Sequence, residues 1–347
     1  MKKPLTYADA GVDIDKGNEL VDVIKKIAKN TPRSGVMGDI GGFGGLFSLN
    51  TDRYDRPVLV ASTDGVGTKL KVAHMCGKHD TVGIDLVAMS VNDIACQGAR
   101  PLFFLDYLSM GRLDTDVAAQ VIEGIAEGCR QAQCALLGGE TAEMPGMYAE
   151  GEYDLAGFAV GIVDNASIVD GSEVGVGNKL IAVASSGLHS NGYSLARKVF
   201  FEVLGLDVDS WVEDLGRTVG EELLVPTRIY AETVKNLARN VQILGIANIT
   251  GGGIIHNLPR TIPNSCKAVV NINGWETPPV FSLLRQAANI PDQEMLTTFN
   301  NGVGLILVVP ENVVVDAMEM LRAMDEKAWV IGEIEERGRD EPHIQWR

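Results

Sequence analysis

Short apolar runs alternate with amphipathic stretches along most of this chain, and their two periods separate strands from helices. Between residues 15 and 30, Leu20, Ile24, Ile27 and Ala28 share one helical face. Lys25, Lys26 and Lys29 lie mostly off that face, and Pro32 helps end the pattern. Val58-Leu59-Val60-Ala61-Ser62 has the length of a buried strand. Residues 81–97 read as a helix despite Gly83, and Pro101 to Tyr107 as a second strand. Asp114 to Gln131 predicts a helix that turns Val117, Val121, Ile125 and Cys129 or Ala126 inward. Cys134 to Leu137 and Leu155 to Val163 predict the third and fourth strands. Strand and helix alternate, which argues for α/β or α+β architecture rather than a bundle.

The stretch from Asp164 to Gly177 is polar, contains glycine and has no period. At 347 residues the chain can bury two ordinary cores, so the expected domains are 1–165 and 166–347. In the second half, Lys179 to Ala184, Gly245 to Ile249, Ala268 to Ile272, Val303 to Val309 and Trp329 to Ile334 predict strands. Ser190 to Leu204 predicts a helix interrupted early by Gly192. Pro226 to Arg239 predicts a helix with proline in its first turn, and Glu311 to Met324 another. The charged tail from Glu335 reads as an edge or surface segment.

Many apolar runs end in glycine-rich turns that carry polar groups. These are Gly41-Gly42-Phe43-Gly44-Gly45, Thr63-Asp64-Gly65-Val66-Gly67-Thr68-Lys69, Gly138-Gly139-Glu140-Thr141, His189-Ser190-Asn191-Gly192 and Thr250-Gly251-Gly252-Gly253. Glycine lets backbone N–H groups approach an anion, and nearby carboxylates can hold a divalent cation. Asp64, Asp93 and Glu140 fall near element ends and could share a Mg²⁺ ion, or could be turn, capping and salt-bridge residues. Asn92 could orient a phosphate or a water. Lys69 could meet a phosphate as a point charge, or could be a solvated helix residue. His189 sits on a polar turn, where it could stabilise a transferred phosphoryl group or relay a proton. An N-cap at Ser190 or Asn191 accounts for the same turn without chemistry. His256 follows the triple glycine, where a helix start could bind phosphate. His74 and His79 read as surface or packing residues.

Charge and motifs narrow the function classes. The formal charge is -16, from 30 Lys plus Arg against 46 Asp plus Glu, and no basic stripe stands out for a nucleic acid. The opening residues lack the apolar core of a secretory signal, and no run is long enough to span a membrane, so a cytoplasmic protein is expected. The five cysteines form no Cys-x-x-Cys pair and read as free thiols in a reducing compartment. Walker A, G-x-G-x-x-G, protein-kinase and G-x-S-x-G signatures are all missing, so ATP chemistry here needs another scaffold.

The chain resembles the phosphoribosylformylglycinamidine cyclo-ligase, or aminoimidazole ribonucleotide synthetase, family. The matching stretches are Tyr7 to Asp15, Thr63 to Leu70, Gly83 to Met89 with Asn92-Asp93, Pro101 to Tyr107, Gly138 to Gly146, and His189 to Leu195. Pro226 to Tyr230, Thr250 to Gly253 and Phe299-Asn300 continue the match. The resemblance implies a two-domain α/β fold with mixed sheets, the N-terminal sheets of two copies meeting in a barrel-like homodimer. It implies ATP-dependent closure of the imidazole ring of a ribonucleotide, releasing ADP and phosphate. It implies Mg²⁺ on Asp64, Asp93 and Glu140. Asp64, Gly65, Gly67, Thr68, Lys69, Asn92, Asp93, Gly138, Gly139, Glu140, Thr141, Gly251 and Gly252 would line the nucleotide and metal site. His189, Asn191 and Lys69 would act at the reacting group. Other ATP-dependent synthetases and small-molecule kinases of the superfamily are the alternative, and a non-catalytic nucleotide-binding scaffold is a third. A selenophosphate synthetase would be expected to carry an early reactive cysteine, and none precedes Cys76.

Overall fold

A computed structural model describes Tyr7 and residues 10–347; Ala8 and Asp9 of the opening motif, like the first six residues, lie outside the described residues. In the N-terminal half, α1 (Ile14–Ala28) starts behind Asp13, whose carboxylate accepts the Lys16 N–H. A small ribbon of β1 (Val36–Met37) and β2 (Leu46–Phe47) follows. Then come β3 (Pro57–Gly65), α2 (Lys69–Cys76), α3 (Val82–Cys96), β4 (Arg100–Met110), α4 (Thr115–Gln131), β5 (Ala135–Glu143) and β6 (Tyr153–Asp164). The four long strands form a sheet in the order β3-β6-β4-β5. Only β4 and β5 run parallel. α3 is buried along most of its length because it packs on this sheet and, at Ala95 and Cys96, on the second half. The sheet's other face is uncovered: Leu59 is 55% and Phe158 45% exposed.

The second half contains β7 (Lys179–Ala184), α5 (Tyr193–Arg197), the ribbon β8 (Trp211–Val212) and β9 (Arg217–Thr218), α6 (Val219–Leu223), α7 (Ala231–Leu237) and β10 (Gly245–Asn248). It continues with α8 (Gly253–Asn257), β11 (Cys266–Val270), α9 (Pro279–Ala288), α10 (Asp292–Thr298), β12 (Val303–Val309), α11 (Val314–Ala323), β13 (Ala328–Glu336) and β14 (Ile344–Trp346). The six-stranded sheet runs β10-β12-β7-β13-β11-β14. Leu180 and Ala182 enter one core while Ile181 and Val183 enter another, so β7 reads as a continuous apolar run because both its faces are covered. Among the described residues no helix is long and apolar enough to cross a membrane.

Three local readings change. Thr63-Asp64-Gly65 and Gly138-Gly139-Glu140-Thr141 belong to strands β3 and β5, not to turns. A Cβ on Gly139 would stand 2.3 Å from Asp106 Oδ1, so glycine is there to make room for a neighbouring carboxyl. The helix expected from Pro226 begins only at Ala231, because the N–H groups of Thr227 and Tyr230 donate to Asp85 and Asn92 instead of to a helical turn. The helix expected over Ser190 to Leu204 is α5 followed by a wider π turn over Lys198–Val203. Helices α9 and α10 had no counterpart in the sequence reading, and the tail read as an edge or surface segment supplies the edge strand β14.

Candidate active site between the two halves

Asp64 ends β3 and Asp93 lies on α3, and the two carboxylates share one neighbourhood. Burial raises the Asp64 pKa, the Gly65 N–H at 2.8 Å lowers it, and the charge of Asp93 raises it again. Asn248, at the end of β10, donates to Asp93 Oδ1 at 3.0 Å and so ties the second half to this pair. Asp93 also lines a cavity of about 260 Å³ between the halves, together with Ser62, Gln97, Asp170, Asn248 and Arg260 among others.

The turn carrying His189 and Asn191 faces the triple glycine. Asn191 Oδ1 accepts the Gly251 N–H at 2.9 Å, while its buried Nδ2 has no partner. Asn257 Nδ2 donates to the carbonyls of Thr250, Gly251 and Gly253, which holds that loop in shape. Asn300 does the same for the other loop, donating to the Gly187 carbonyl at 2.9 Å. Thr68 Oγ1 stands 3.3 Å from Ser194 Oγ, so the Asp64 loop also reaches α5.

His189 itself is 2% exposed and holds a positive φ of 60°. Its Nε2 accepts the Ser186 N–H at 3.2 Å, so the neutral ring carries its proton on Nδ1. Burial, then the charges of Lys69 and Arg228, push its pKa down to about 3. Each of these disfavours the imidazolium that the proton-relay reading of His189 requires. Gly304 exists to admit it, since a Cβ there would lie 2.7 Å from His189 Cε1 and 1.9 Å from the Tyr230 hydroxyl.

Three further readings are corrected by geometry. Lys69 is fully buried and its ammonium is taken up by Asp85 and by the carbonyls of His189 and Val225, which leaves no donor for a phosphate. Asn92 donates to the Arg228 carbonyl and accepts the Tyr230 N–H, both at 2.8 Å, rather than facing a ligand. Glu140 is not beside the Asp64–Asp93 pair. Asp64, Gly157, Asp106 and Gly139 form one row across the sheet, and Glu140 is one residue beyond it, opposite Tyr107. It therefore points to the other face, three strand spacings or about 14 Å away. Among the described residues no three His, Cys, Asp or Glu side chains cluster to hold a metal.

The candidates thus fall into three groups. Asp64, Gly65, Gly67, Thr68, Asp93, His189, Asn191, Gly251 and Gly252 lie on the segments of the two halves that meet through Asn248–Asp93, Thr68–Ser194 and the Lys69 contacts; Lys69 and Asn92 are buried ties between the halves; Gly138, Gly139, Glu140 and Thr141 lie on the far edge strand. Sequence reasoning missed Asn248, Arg260 and Asp85. Asn248 carries the same signal as Asp64, a polar residue at the end of an apolar strand; the other two carry none.

Two consecutive α/β halves of this kind place the chain in the AIR synthase-related class. The N-terminal domain of that class, "AIR synthase related protein, N-terminal domain", matches residues 50–163, and its C-terminal domain matches residues 175–345. Among solved structures, thiamine-monophosphate kinase from Stenotrophomonas maltophilia K279a superposes with a TM-score of 0.68 at 17% identity, covering 94% of this chain and 95% of that one. Hydrogenase maturation protein HypE in complex with ATP gives 0.64 at 18% identity, covering 93% and 87%. These share the fold. Closer similarity is found with the phosphoribosylformylglycinamidine cyclo-ligase of Desulfatibacillum aliphaticivorans, 68% identical over 347 residues and the whole of both chains. That of Syntrophotalea carbinolica is 62% identical over 96% of this chain and 95% of its own. The chain belongs to the phosphoribosylformylglycinamidine cyclo-ligase family.

Proposed function

We propose that the protein uses ATP to close 5'-phosphoribosylformylglycinamidine to 5-aminoimidazole ribonucleotide, releasing ADP and phosphate, as a ligase of purine biosynthesis. The observation that carries this reading is the 68% identity over the entire length of a cyclo-ligase. A formamide oxygen is a poor leaving group. Transfer of the ATP γ-phosphoryl group to it makes phosphate the leaving group, and attack by the ring-forming nitrogen on the same carbon then expels it.

The residues fit these needs. Asp64 and Asp93 offer hard oxygens to Mg²⁺, which when bound neutralises charge on the phosphates. The amides of Gly67 and Thr68 follow Asp64 in the same loop, while the Gly65 N–H is held by Asp64 and the Gly251 N–H by Asn191. The free Nδ2 of Asn191 is a donor without a partner at this junction, suited to an oxygen of the formyl or phosphoryl group. His189 shapes the turn as a neutral ring. We take residues 1–165 as the nucleotide and dimer domain and 166–347 as the second domain.

The partner is a second copy. The uncovered face of the N-terminal sheet is apolar at Leu59 and Phe158, and its outer strands β3 and β5 each have a free edge among the described residues. Glu140, with Gly138, Gly139 and Thr141, sits on that edge and serves a site shared with the second copy rather than its own Asp64. Five free thiols, four of them buried, agree with a reducing cytoplasm.

Incubation with ATP, Mg²⁺ and formylglycinamidine ribonucleotide tests the reading. ADP should form with a product lighter than the substrate by one water, and heavy oxygen placed in the formyl group should leave in phosphate. ATP turnover without a cyclised product would overturn it.

A further inference from the structure

The Lys69 ammonium is one of the most enclosed charges in the protein, and its partners come from both halves. Lys69 and Asp85 are each 0% exposed. Lys69 Nζ lies 2.9 and 3.0 Å from the two Asp85 oxygens, and donates to the His189 carbonyl at 2.9 Å and the Val225 carbonyl at 2.6 Å. Asp85 Oδ1 also accepts the N–H and the hydroxyl of Thr227, both at 2.7 Å. The Thr227 hydroxyl in turn stands 3.2 Å from Ser190 Oγ, next to His189. An ammonium has three N–H groups, and Asp85 and the two carbonyls use them all.

The two carbonyls satisfy N–H groups that a buried ammonium cannot leave unpaired, and both are supplied by the other half of the chain. Lys69 is the first residue of α2, directly after the Asp64-Gly65-Val66-Gly67-Thr68 loop. His189 and Val225 belong to the two segments of the second half that face that loop. The His189 carbonyl is held on a residue with φ 60°, a backbone setting that side-chain-bearing residues rarely adopt. Asn92 makes a similar bridge one helical stretch on, to the Arg228 carbonyl and the Tyr230 N–H.

We propose that Lys69 is a positioning residue: paired with Asp85, it holds the His189–Asn191 turn and the 225–227 segment in fixed register with the Asp64 loop. It thereby sets the alignment of the phosphoryl donor, on the first half, with the reacting formyl group, near Asn191. It touches neither ligand. The inference rests on the cyclisation reading above.

The decisive variant is Lys69→Met with Asp85→Leu. It removes both charges together, and apolar replacement of a buried pair often leaves stability unchanged. Here the protein should fold with lowered melting, since the His189 and Val225 carbonyls and the Thr227 N–H and hydroxyl lose their partners, and should bind ATP within about threefold of the parent, measured without the ribonucleotide. Single-turnover cyclisation should fall by about 100-fold, the scale of a misplacement near 1 Å. Thr227→Val is the second variant. It keeps both charges and the core volume, removes one Asp85 contact, and should slow cyclisation by about tenfold at unchanged ATP affinity. Parental cyclisation rates in the folded double variant would reduce Lys69 to a stabilising role and overturn the proposal. A loss of ATP affinity large enough to explain the slower rate would instead return Lys69 to phosphate binding. Should the double variant not fold, a parental rate in Thr227→Val overturns the proposal by itself. Failure of the parent protein to form any cyclised product refutes the functional reading, before any variant is compared.

Discussion

Replacing Asp106 by Asn should stabilise the protein, and by an amount that grows with pH. Asp106 lies in the middle of β4, 6% exposed, on the face that α1 and α4 cover. Its own backbone N–H favours ionisation of the carboxyl, and burial opposes it more strongly. Burial raises its pKa from the ordinary 3.8 to about 7. Below pH 3.8 folded and unfolded chains both carry the proton, and no charge is buried. Between 3.8 and 7 the unfolded chain releases it while the folded protein keeps it, so stability falls as pH rises. Above 7 the folded state bears a desolvated carboxylate and the loss is complete. A gap of roughly three pH units at 1.36 kcal/mol each sets an upper value of about 4 kcal/mol. Water entering the crevice under α1 reduces that toward about 2 kcal/mol. Asn preserves the volume and cannot titrate. Urea unfolding of both proteins should give similar stabilities near pH 4.5 and diverge in favour of Asp106→Asn up to pH 8. A constant offset across that range, or a variant less stable at pH 8, would refute the reasoning.

Asp64→Asn should leave thermal melting within about 0.5 kcal/mol of the parent, since no core packing changes, yet reduce ATP turnover and shift its Mg²⁺ dependence. Parental turnover at every Mg²⁺ concentration would remove Asp64 from the site. His189 should show the Nδ1-protonated neutral ring by nitrogen NMR from pH 5.5 to 8.5, because its pKa is pushed down to about 3. A titration near 6.5 would return it to proton transfer. Phe158→Glu places a charge on the uncovered sheet face and should convert a dimer to a monomer in light scattering; an unchanged dimer would move the interface elsewhere.

The sheets and helices were readable where one local rule decides them. β7 and β12 are continuous apolar runs because both faces of the second sheet are covered, and α1 and α4 announce themselves by an apolar stripe behind Asp13 and Asp114. The stretch from Pro226 shows where the local rule stops. Its composition favours a helix, but Asp85 and Asn92, more than 130 residues earlier, take the N–H groups that would have opened it. The candidate site divides along the same line. A polar residue closing an apolar strand picked out both Asp64 and Glu140, and the signal is equally strong for each. What separates them is strand order and the parity of one residue, and both follow from how distant strands pair. Lys69 carries the point furthest. From its neighbours alone it is a cation beside a glycine loop, which reads as a phosphate contact. Only the approach of Asp85, His189 and Val225 turns the same ammonium into an internal tie between the two halves. Residue type and position in the chain find where charge is placed; the long-range pairing decides whether that charge faces a ligand or the protein itself.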